Sequence, residues 1–375
     1  EKSKIFFNYY HIVFSILFIM TISSLFEAYL RARYNITLSN FSNGVLNRLL
    51  TGISVILLSL MIISFDELIK LQVPIYLTGL FTIIIYAYKK ENFNIKFGIN
   101  NIRNRLKEIT NYSFFSILSG FGNILVLNVD VLMVSAILGL SATGIYTTAF
   151  YIGLIIEIPR RAISQISIPI ISENIKNNNF KEIGKNFKLV SLHQLIIGIF
   201  LYLLIILNLD NIFNIIPNSE NFISGKNIVY IIGLSKLIIM TSGFSSELIM
   251  MSKYYKFNVI TITILAILSI ILNYMLIPQF GMIGAAYASL FSILTFNCIK
   301  LIFIKIKIGI SPFSNKTIVP IIIGIIIFFI INYFPNNSNP FLDIIKNSLV
   351  ISSLYIGMIY LLKVSPELNL IIKKI

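Results

Sequence analysis

Long apolar runs alternate with short polar gaps along almost the whole chain. A helix needs about 20 mostly apolar residues to cross the hydrocarbon core of a bilayer. Measured against that length, the pattern predicts an all-α polytopic membrane protein with about eleven membrane-spanning helices. The predicted spans cover residues 9–30, 42–64, 68–88, 112–137, 143–164, 189–209, 228–250, 257–277, 282–304, 317–334 and 345–362.

Basic residues are concentrated in every second gap between the predicted spans. The span limits are soft by a few residues, so basic residues close to them are counted with the adjoining gaps, namely Lys70, Arg160, Arg161 and Lys346. If the chain starts outside and crosses eleven times, 22 of the 30 lysines and arginines are then cytoplasmic, five are outside, and Arg48, Lys236 and Lys300 lie within spans. Cytoplasmic loops of membrane proteins retain lysine and arginine, so this bias supports the count. It predicts a multi-pass protein of the cell (inner, cytoplasmic) membrane with its C-terminus in the cytoplasm.

The composition excludes several other classes of protein. Charged residues make up only 12% of the chain and hydrophobic residues 57%, whereas soluble domains carry about 25% charged residues. The net charge of +15 lies mainly in the cytoplasmic gaps, so it reflects topology and we expect no nucleic-acid partner. Because there are only two histidines and one cysteine, we expect neither a metal site nor a cofactor.

An internal repeat appears at an offset of 220 residues. Glu27 and Arg33 correspond to Glu247 and Lys253, and both copies read as an apolar span, a glutamate near its cytoplasmic end and a short basic-aromatic loop. Both copies cross in the same direction, as parallel repeats in transporters do. If spans one to three repeat as spans seven to nine, spans four to six need counterparts before residue 1, and we expect three helices to be missing there.

This repeat predicts the domain organisation. Residues 1–88 form an incomplete N-terminal lobe of three helices, and residues 89–111 form a basic cytoplasmic linker. Residues 112–305 form a six-helix C-terminal lobe, and residues 306–375 add two further helices and a basic tail. The predicted fold is therefore a two-lobe bundle that lacks its first three helices.

Two cationic residues within predicted spans are candidates for a substrate cavity. Lys236 lies nine residues into its span, which at about 1.5 Å per residue is close to mid-membrane. Such a charge usually faces a cavity or a partner, and the alternative is a side chain that snorkels to the interface. Arg48 follows the polar stretch TLSNFSNGVLNR, and its guanidinium suits a pyrophosphate group. The alternative for Arg48 is an interfacial anchor.

Three acidic residues are candidates for ion coupling or salt bridges. Asp130 lies within the apolar segment NILVLNVDVLMVSAILGL, where it could bind a proton or cation, pair with a basic residue, or reach the water of the outer leaflet. Glu27 and Glu247 lie near the cytoplasmic ends of their spans. They could take part in transport chemistry or tie their helices to the nearby basic loops.

Three stretches carry a resemblance to a known family. Asp130 begins DVLMVSAILGLSATGIY, Pro169 lies in ISIPIISE, and residues 273–289 read NYMLIPQFGMIGAAYAS. In order and spacing they resemble the multidrug/oligosaccharidyl-lipid/polysaccharide flippase superfamily, and within it the polysaccharide (O-antigen type) branch. The resemblance covers about residues 8–363 and departs from the family at the N-terminus, where the first three helices have no counterpart.

The resemblance implies two six-helix lobes around a cavity that opens alternately to each side of the bilayer. The implied substrate is a lipid-linked oligosaccharide on its way to polysaccharide (lipopolysaccharide) biosynthesis, with its sugar and pyrophosphate in the cavity and its polyprenyl tail in lipid. Arg48 and Lys236 would then offset the headgroup charge. Asp130 would be a candidate for coupling to H⁺ or Na⁺.

Two alternatives remain beside this interpretation. A multidrug exporter of the same superfamily would use acidic residues for cationic drugs. A membrane-embedded polysaccharide polymerase or glycosyltransferase would present a catalytic cluster in a large external loop. The outer gaps contain only one acidic pair, Asp66 and Glu67, in a gap too short for such a site, so we do not expect an enzyme.

Overall fold

The computed structural model describes residues 3–32, 41–91, 106, 110, 113, 117, 128–215, 220, 222–331 and 339–367. These residues form helices joined by short turns, and no strand occurs among them. The predicted all-α class is thereby confirmed. Several predicted features, namely most of the linker 89–111, most of residues 112–127, Arg33 and the end of the basic tail, lie outside the described residues.

The chain divides into two compact units, Glu1–Leu106 and Lys107–Ile375. This boundary lies inside the predicted linker, while the four-part division of the chain stays a prediction. The N-terminal unit contains helices α1 (Ser3–Ala32), α2 (Asn47–Ser59) and α3 (Phe65–Glu91), with a π-helical turn at Ser42–Leu46 leading into α2.

Close helix contacts hold the N-terminal unit together. Leu30 of α1 packs with Ile83 of α3 in a small buried cluster. Ser42 donates a hydrogen bond to the carbonyl of Gly79 at 2.8 Å, and a Cβ on Gly79 would lie 2.5 Å from Oδ1 of Asn47. Small residues permit such close approach between helices in lipid, so Gly79 sets the distance between α2 and α3.

The C-terminal unit contains ten described helices. They are α4 (Asn128–Leu138), α5 (Leu140–Leu154), α6 (Ile158–Lys176), α7 (Phe180–Leu207), α8 (Leu209–Ile215), α9 (Lys226–Thr241), α10 (Ser245–Met251), α11 (Tyr255–Lys307), α12 (Ile318–Ile331) and α13 (Pro340–Leu361). A 3₁₀ turn at Ile155–Glu157 joins α5 to α6.

Helix α11 is broken at Gly281, which adopts φ 60° and ψ −140°. This region of conformational space is open essentially to glycine alone. A Cβ on Gly284 would lie 2.1 Å from the carbonyl oxygen of Leu276, a proximity impossible along one straight helix. The two segments of α11 therefore fold back on each other, and the break lies between the predicted spans 257–277 and 282–304.

Helix α9 lies at the centre of the C-terminal unit, packed against α5, α7 and α11. Glycines again make the closest contacts. A Cβ on Gly153 would lie 2.8 Å from Cγ2 of Ile232, and one on Gly233 would lie 2.9 Å from Cε2 of Tyr202. On the other side of α7, helices α12 and α13 form a second buried apolar cluster, in which the Tyr355 hydroxyl donates to the carbonyl of Ile196 at 3.1 Å.

Seven helices among the described residues are long and apolar enough to cross a membrane, and three shorter apolar helices accompany them. Large apolar side chains such as Phe18 (69% exposed), Tyr274 (73%) and Leu361 (75%) cover their outer surfaces, which suits contact with lipid. The protein is thus a multi-pass membrane protein. The total of eleven crossings, the choice of membrane and the cytoplasmic C-terminus stay predictions.

The predicted span 228–250 is wrong as a single helix. Helix α9 ends at Thr241, and α10 begins separately at Ser245. Gly243 between them has φ 56°, and a Cβ there would lie 2.2 Å from Oγ of Ser191 on α7. The turn therefore follows from the backbone of Gly243 and its packing on α7, and it falls in the polar stretch TSGFSS that the predicted span included.

Candidate functional site

The C-terminal unit encloses a cavity of about 490 Å³ between α4, α5, α6, α9, α10 and both segments of α11. Its wall contains three acidic and four basic residues: Asp130, Glu157, Glu247, Arg160, Arg161, Lys236 and Lys300. Charges at membrane depth are costly and mark substrate or ion pathways by default. The formal charge of this wall is +1, so most of its charged residues are balanced by residues of opposite charge in the same wall.

A chain of ion pairs crosses one side of the cavity. Lys236 Nζ lies 3.1 Å from Glu157 Oε2, the other oxygen of Glu157 lies 3.7 Å from Arg160, and Arg160 lies 3.2 Å from Glu247. The Lys236 contact has the distance of an ion pair without the alignment of a hydrogen bond. Glu157 ends the 3₁₀ turn, and Arg160 follows three residues later in the first turn of α6. The two side chains therefore lie on the same side of the helix start, where they pair.

Lys236 itself is only 3% exposed and lies in the cavity wall, with its ammonium 5.3 Å from the centre of the Phe150 ring. Among the alternatives for this residue, the structure has it facing a cavity and paired with an acid. Its part in substrate binding stays a prediction.

Asp130 is held by hydrogen bonds from two helices. Its carboxylate accepts from Asn273 Nδ2 at 2.7 Å, from Ser269 at 3.4 Å, from Tyr146 at 3.4 Å and from Ser289. Ser269 and Ser289 belong to opposite segments of α11, so the break at Gly281 is what brings them to one carboxylate. Two of the three stretches that carry the family resemblance, the one that begins at Asp130 and residues 273–289, thus meet at Asp130.

No salt bridge to Asp130 is found among the described residues. The same part of the chain contains no group of three His, Cys, Asp or Glu side chains that could hold a metal ion. Both predicted roles of Asp130 within the membrane, a proton or cation site and a salt bridge to the neighbouring lobe, stay predictions.

Glu247 ties α10 to α6. One of its oxygens accepts from Ser164 at 2.6 Å and pairs with Arg160, so it has the structural contact to a basic residue that was one of its two predicted roles. On the facing helix α11, Lys300 donates to Ser246 at 2.8 Å and lies 3.9 Å from the centre of the Phe296 ring. These contacts fix the part of the wall around Glu247, and its predicted position near the cytoplasmic side stays a prediction.

The N-terminal unit has a cavity of its own, of about 830 Å³. Its wall includes Arg48 and Glu27, together with Asn47, Thr51 and Tyr76. Arg48 and Lys236 are thus each found in the cavity wall of their own unit. The contributions of Arg48 and Glu27 to substrate binding stay predictions.

The sequence analysis overlooked several charged residues that form the ion pairs and hydrogen bonds of the C-terminal cavity. Glu157 and Arg160 were assigned no role, and Lys300 was placed within a span without one. Two signals were available. Glu157 interrupts the apolar run IGLIIEIP, and Ser289, Ser292, Phe296 and Lys300 recur at helical spacing on one face of α11.

Comparison with known proteins supports the fold. No family model matches the sequence, and a search of curated proteins finds no match either. The solved structure of the lipid II flippase MurJ in an inward closed conformation matches over 91% of this chain and 72% of that one, at 15% identity and a TM-score of 0.66. The chain therefore has the same fold as this flippase.

Two solved structures of transporters of the multidrug/oligosaccharidyl-lipid/polysaccharide superfamily are similar to smaller parts of this chain. One is a transporter from Pyrococcus furiosus described as having a binding pocket of reversed polarity, and the other is an outward-facing multidrug resistance transporter of the MATE family. Each matches 65% of this chain and 52% of its own at 17% identity and a TM-score of 0.41. The predicted fold is confirmed by the match to the lipid II flippase, while the polysaccharide (O-antigen type) branch stays a prediction.

Proposed function

We propose that this protein moves a lipid-linked oligosaccharide, a polyprenyl-pyrophosphate sugar, across the cytoplasmic membrane by alternating access, as a step in polysaccharide biosynthesis. The observation that carries the proposal is the buried, charge-lined cavity inside a bundle of apolar helices. A substrate with a polar headgroup needs such a polar compartment, because the hydrocarbon core offers its headgroup no hydrogen bonds. The flippase fold supports the same function.

The basic residues of the two cavities suit the pyrophosphate of the proposed substrate. Arg160, Lys236 and Lys300 line the C-terminal cavity, and Arg48 lines the N-terminal one. Guanidinium groups bind phosphate oxygens through paired N–H donors, and ammonium groups bind them as point charges. In this proposal the pyrophosphate competes with Glu157 for Lys236 and Arg160, and the polyprenyl tail stays against the exposed apolar side chains. Asp130 is the candidate for coupling to H⁺ or Na⁺.

A second candidate function is the export of cationic drugs by an ion-coupled exporter of the same superfamily. The observation in its favour is that three carboxylates, Asp130, Glu157 and Glu247, line the same cavity. The excess of basic over acidic residues in the wall weighs against it. A polysaccharide polymerase or glycosyltransferase is less favoured still, because the fold is one found in transporters.

Export in cells distinguishes the two transport functions. The full-length protein is expressed in cells that lack their own flippase for a surface glycan, and both glycan export and resistance to cationic drugs are measured. We expect restored export without drug resistance, reduced export with Lys236→Ala, and partial export with Lys236→Arg. Lys226→Ala is the matched control, since Lys226 is on the same helix but pairs with Asp210 away from the cavity. Drug resistance without glycan export would favour the exporter.

A further inference from the structure

Six buried polar atoms on the wall of the C-terminal cavity have no hydrogen-bond partner among the described residues. One of them, Oε2 of Glu157, lies 3.1 Å from the ammonium of Lys236, whereas the other five atoms take part in no ion pair within the described part of the chain. They are Oε2 of Glu247, Oδ1 of Asn258, Oγ of Ser292, Oδ1 of Asn297 and Nε of Arg160. A buried polar group without a partner is destabilising, and most proteins avoid it. Five such atoms around one cavity indicate that a ligand or solvent in the cavity completes their hydrogen bonds.

Neighbouring contacts explain why these particular atoms remain available. Asn297 uses its amide nitrogen for the carbonyl of Ile293 at 2.9 Å, which leaves its oxygen. Glu247 uses Oε1 for Ser164 and Arg160, which leaves Oε2. Arg160 makes its ion pairs through its two terminal nitrogens, which leaves Nε. Ser292 is 1% exposed and Asn297 is 3% exposed, so bulk solvent at the protein surface does not reach them.

The mixture of donors and acceptors restricts the class of ligand. Three of the five atoms only accept hydrogen bonds, one only donates, and the serine hydroxyl does both. A phosphate would satisfy Arg160 but would place its oxygens against three acceptors. A cationic group would satisfy the acceptors but would leave Arg160 without a partner. Hydroxyl groups both donate and accept, so an uncharged polyhydroxylated ligand satisfies all five.

The remaining properties of the cavity agree with a sugar. Its volume of about 490 Å³ lies within the range typical of small-molecule sites. The rings of Phe150 and Phe296 give its wall two flat apolar surfaces, which suit the C–H faces of a pyranose ring. The ion-pair chain leaves a formal wall charge of only +1, so an uncharged moiety is not disfavoured there.

We propose that the C-terminal cavity is a subsite for uncharged sugar residues, recognised through Asn258, Ser292, Asn297 and Glu247. This proposal rests on the proposed function and assigns the sugar part of the transported headgroup to the α11 side of the cavity. The pyrophosphate part of the headgroup is assigned to the basic residues of α6 and α9, such as Arg160 and Lys236.

Binding to the full-length protein in lipid nanodiscs tests the proposal. The probes are a panel of neutral sugars (glucose, galactose, N-acetylglucosamine and maltose), inorganic pyrophosphate, and tetraphenylphosphonium as a cation, each measured by calorimetry. We expect at least one neutral sugar to bind, and Asn297→Leu and Ser292→Ala each to weaken it about tenfold, the loss of one hydrogen bond. Thermal stability should fall no further with Asn297→Leu than with a variant that loses one bond to the preceding turn, because among the described residues the lost oxygen has no partner and the lost amide bonds only the carbonyl of Ile293.

Thr295→Val is the matched control. Thr295 is exposed on the same segment of α11 and bonds the carbonyl of Phe291 at 2.8 Å, so this variant also loses one bond to the preceding turn without touching the cavity. Unchanged sugar affinity in Asn297→Leu and Ser292→Ala, or binding of only pyrophosphate or the cation, would overturn the subsite. Absence of binding by every sugar would overturn it too, with water alone completing the hydrogen bonds.

Transport of a lipid-linked sugar by the same preparations separates the two proposals. If the wild-type protein transports it and Asn297→Leu does so equally well, the subsite is wrong and the proposed function stands. If no lipid-linked sugar is transported while a neutral sugar binds through Asn297, the proposed function fails and the subsite stands.

Discussion

Replacing Lys236 by methionine removes a buried positive charge while keeping an unbranched side chain of similar length. Glu157, with a side chain 11% exposed, then loses its partner at 3.1 Å. Removing one member of a buried ion pair costs about 3–5 kcal/mol, because the remaining charge stays buried. Arg160 still lies 3.7 Å from Glu157 but also serves Glu247, so we expect a loss of about 3 kcal/mol in the free energy of unfolding.

The double variant Lys236→Met with Glu157→Gln should recover much of this loss. Neither side chain then carries a charge, and replacing a buried pair by neutral groups is often close to neutral in free energy. Glu157→Gln alone should be destabilising, because Lys236 loses its ion pair and keeps a weaker contact with the Phe150 ring at 5.3 Å. We therefore expect a coupling free energy of at least about 2 kcal/mol between the two positions.

Unfolding in mixed dodecyl maltoside and dodecyl sulfate micelles at neutral pH measures all four proteins of this cycle. The control cycle uses Lys226→Met and Asp210→Asn. This ion pair joins α9, the helix of Lys236, to α8, and its side chains are 29% and 66% exposed. Exposed pairs contribute about 0–1 kcal/mol, so its coupling should be small. Losses that simply add in the Lys236 and Glu157 cycle would refute the buried ion pair.

Three further predictions concern the backbone, the topology and the buried carboxylate. Gly281→Ala should lower the unfolding free energy by about 1–3 kcal/mol, because alanine is strained at φ 60° and ψ −140°; an unchanged melting temperature would contradict the break in α11. In a background without the native cysteine, an impermeant maleimide should label Glu220→Cys from outside and Asn177→Cys only after lysis, and the reverse pattern would overturn the predicted topology. Asp130→Asn should leave the protein folded but abolish the dependence of transport on a Na⁺ or H⁺ gradient, and transport with unaltered ion dependence would remove Asp130 from coupling.

Hydropathy and local motifs predicted a large part of the fold. Apolar runs mark most of the long helices, because a lipid-exposed helix must be apolar along its length whatever it packs against. The break at Gly281 was also accessible, since Pro278, Gly281 and Gly284 interrupt a single apolar run. The turn at Gly243 was partly accessible, since the polar stretch TSGFSS at residues 241–246 interrupts the apolar run. The packing of Gly243 against Ser191 appears only in the structure.

The sequence predicted some residues of the candidate site, but it did not predict how they are arranged. Lys236 was singled out because its depth in a span makes it costly. Its partner Glu157 lies 79 positions earlier in the chain (236 − 157), and they meet because Gly153 and Gly233 let α5, α7 and α9 pack closely. Such pairings depend on helix contacts that one sequence does not encode as a local pattern.

Translocation in proteoliposomes tests the central claim most directly. The full-length protein is reconstituted with a polyprenyl-pyrophosphate sugar whose headgroup is fluorescent, and its accessibility to a membrane-impermeant quencher is followed over time. The account predicts protein-dependent exposure of the labelled headgroup, slowed by unlabelled lipid-linked sugar and absent for a labelled ordinary phospholipid. Headgroup exposure no faster than in protein-free liposomes, together with uptake of a cationic dye, would contradict it.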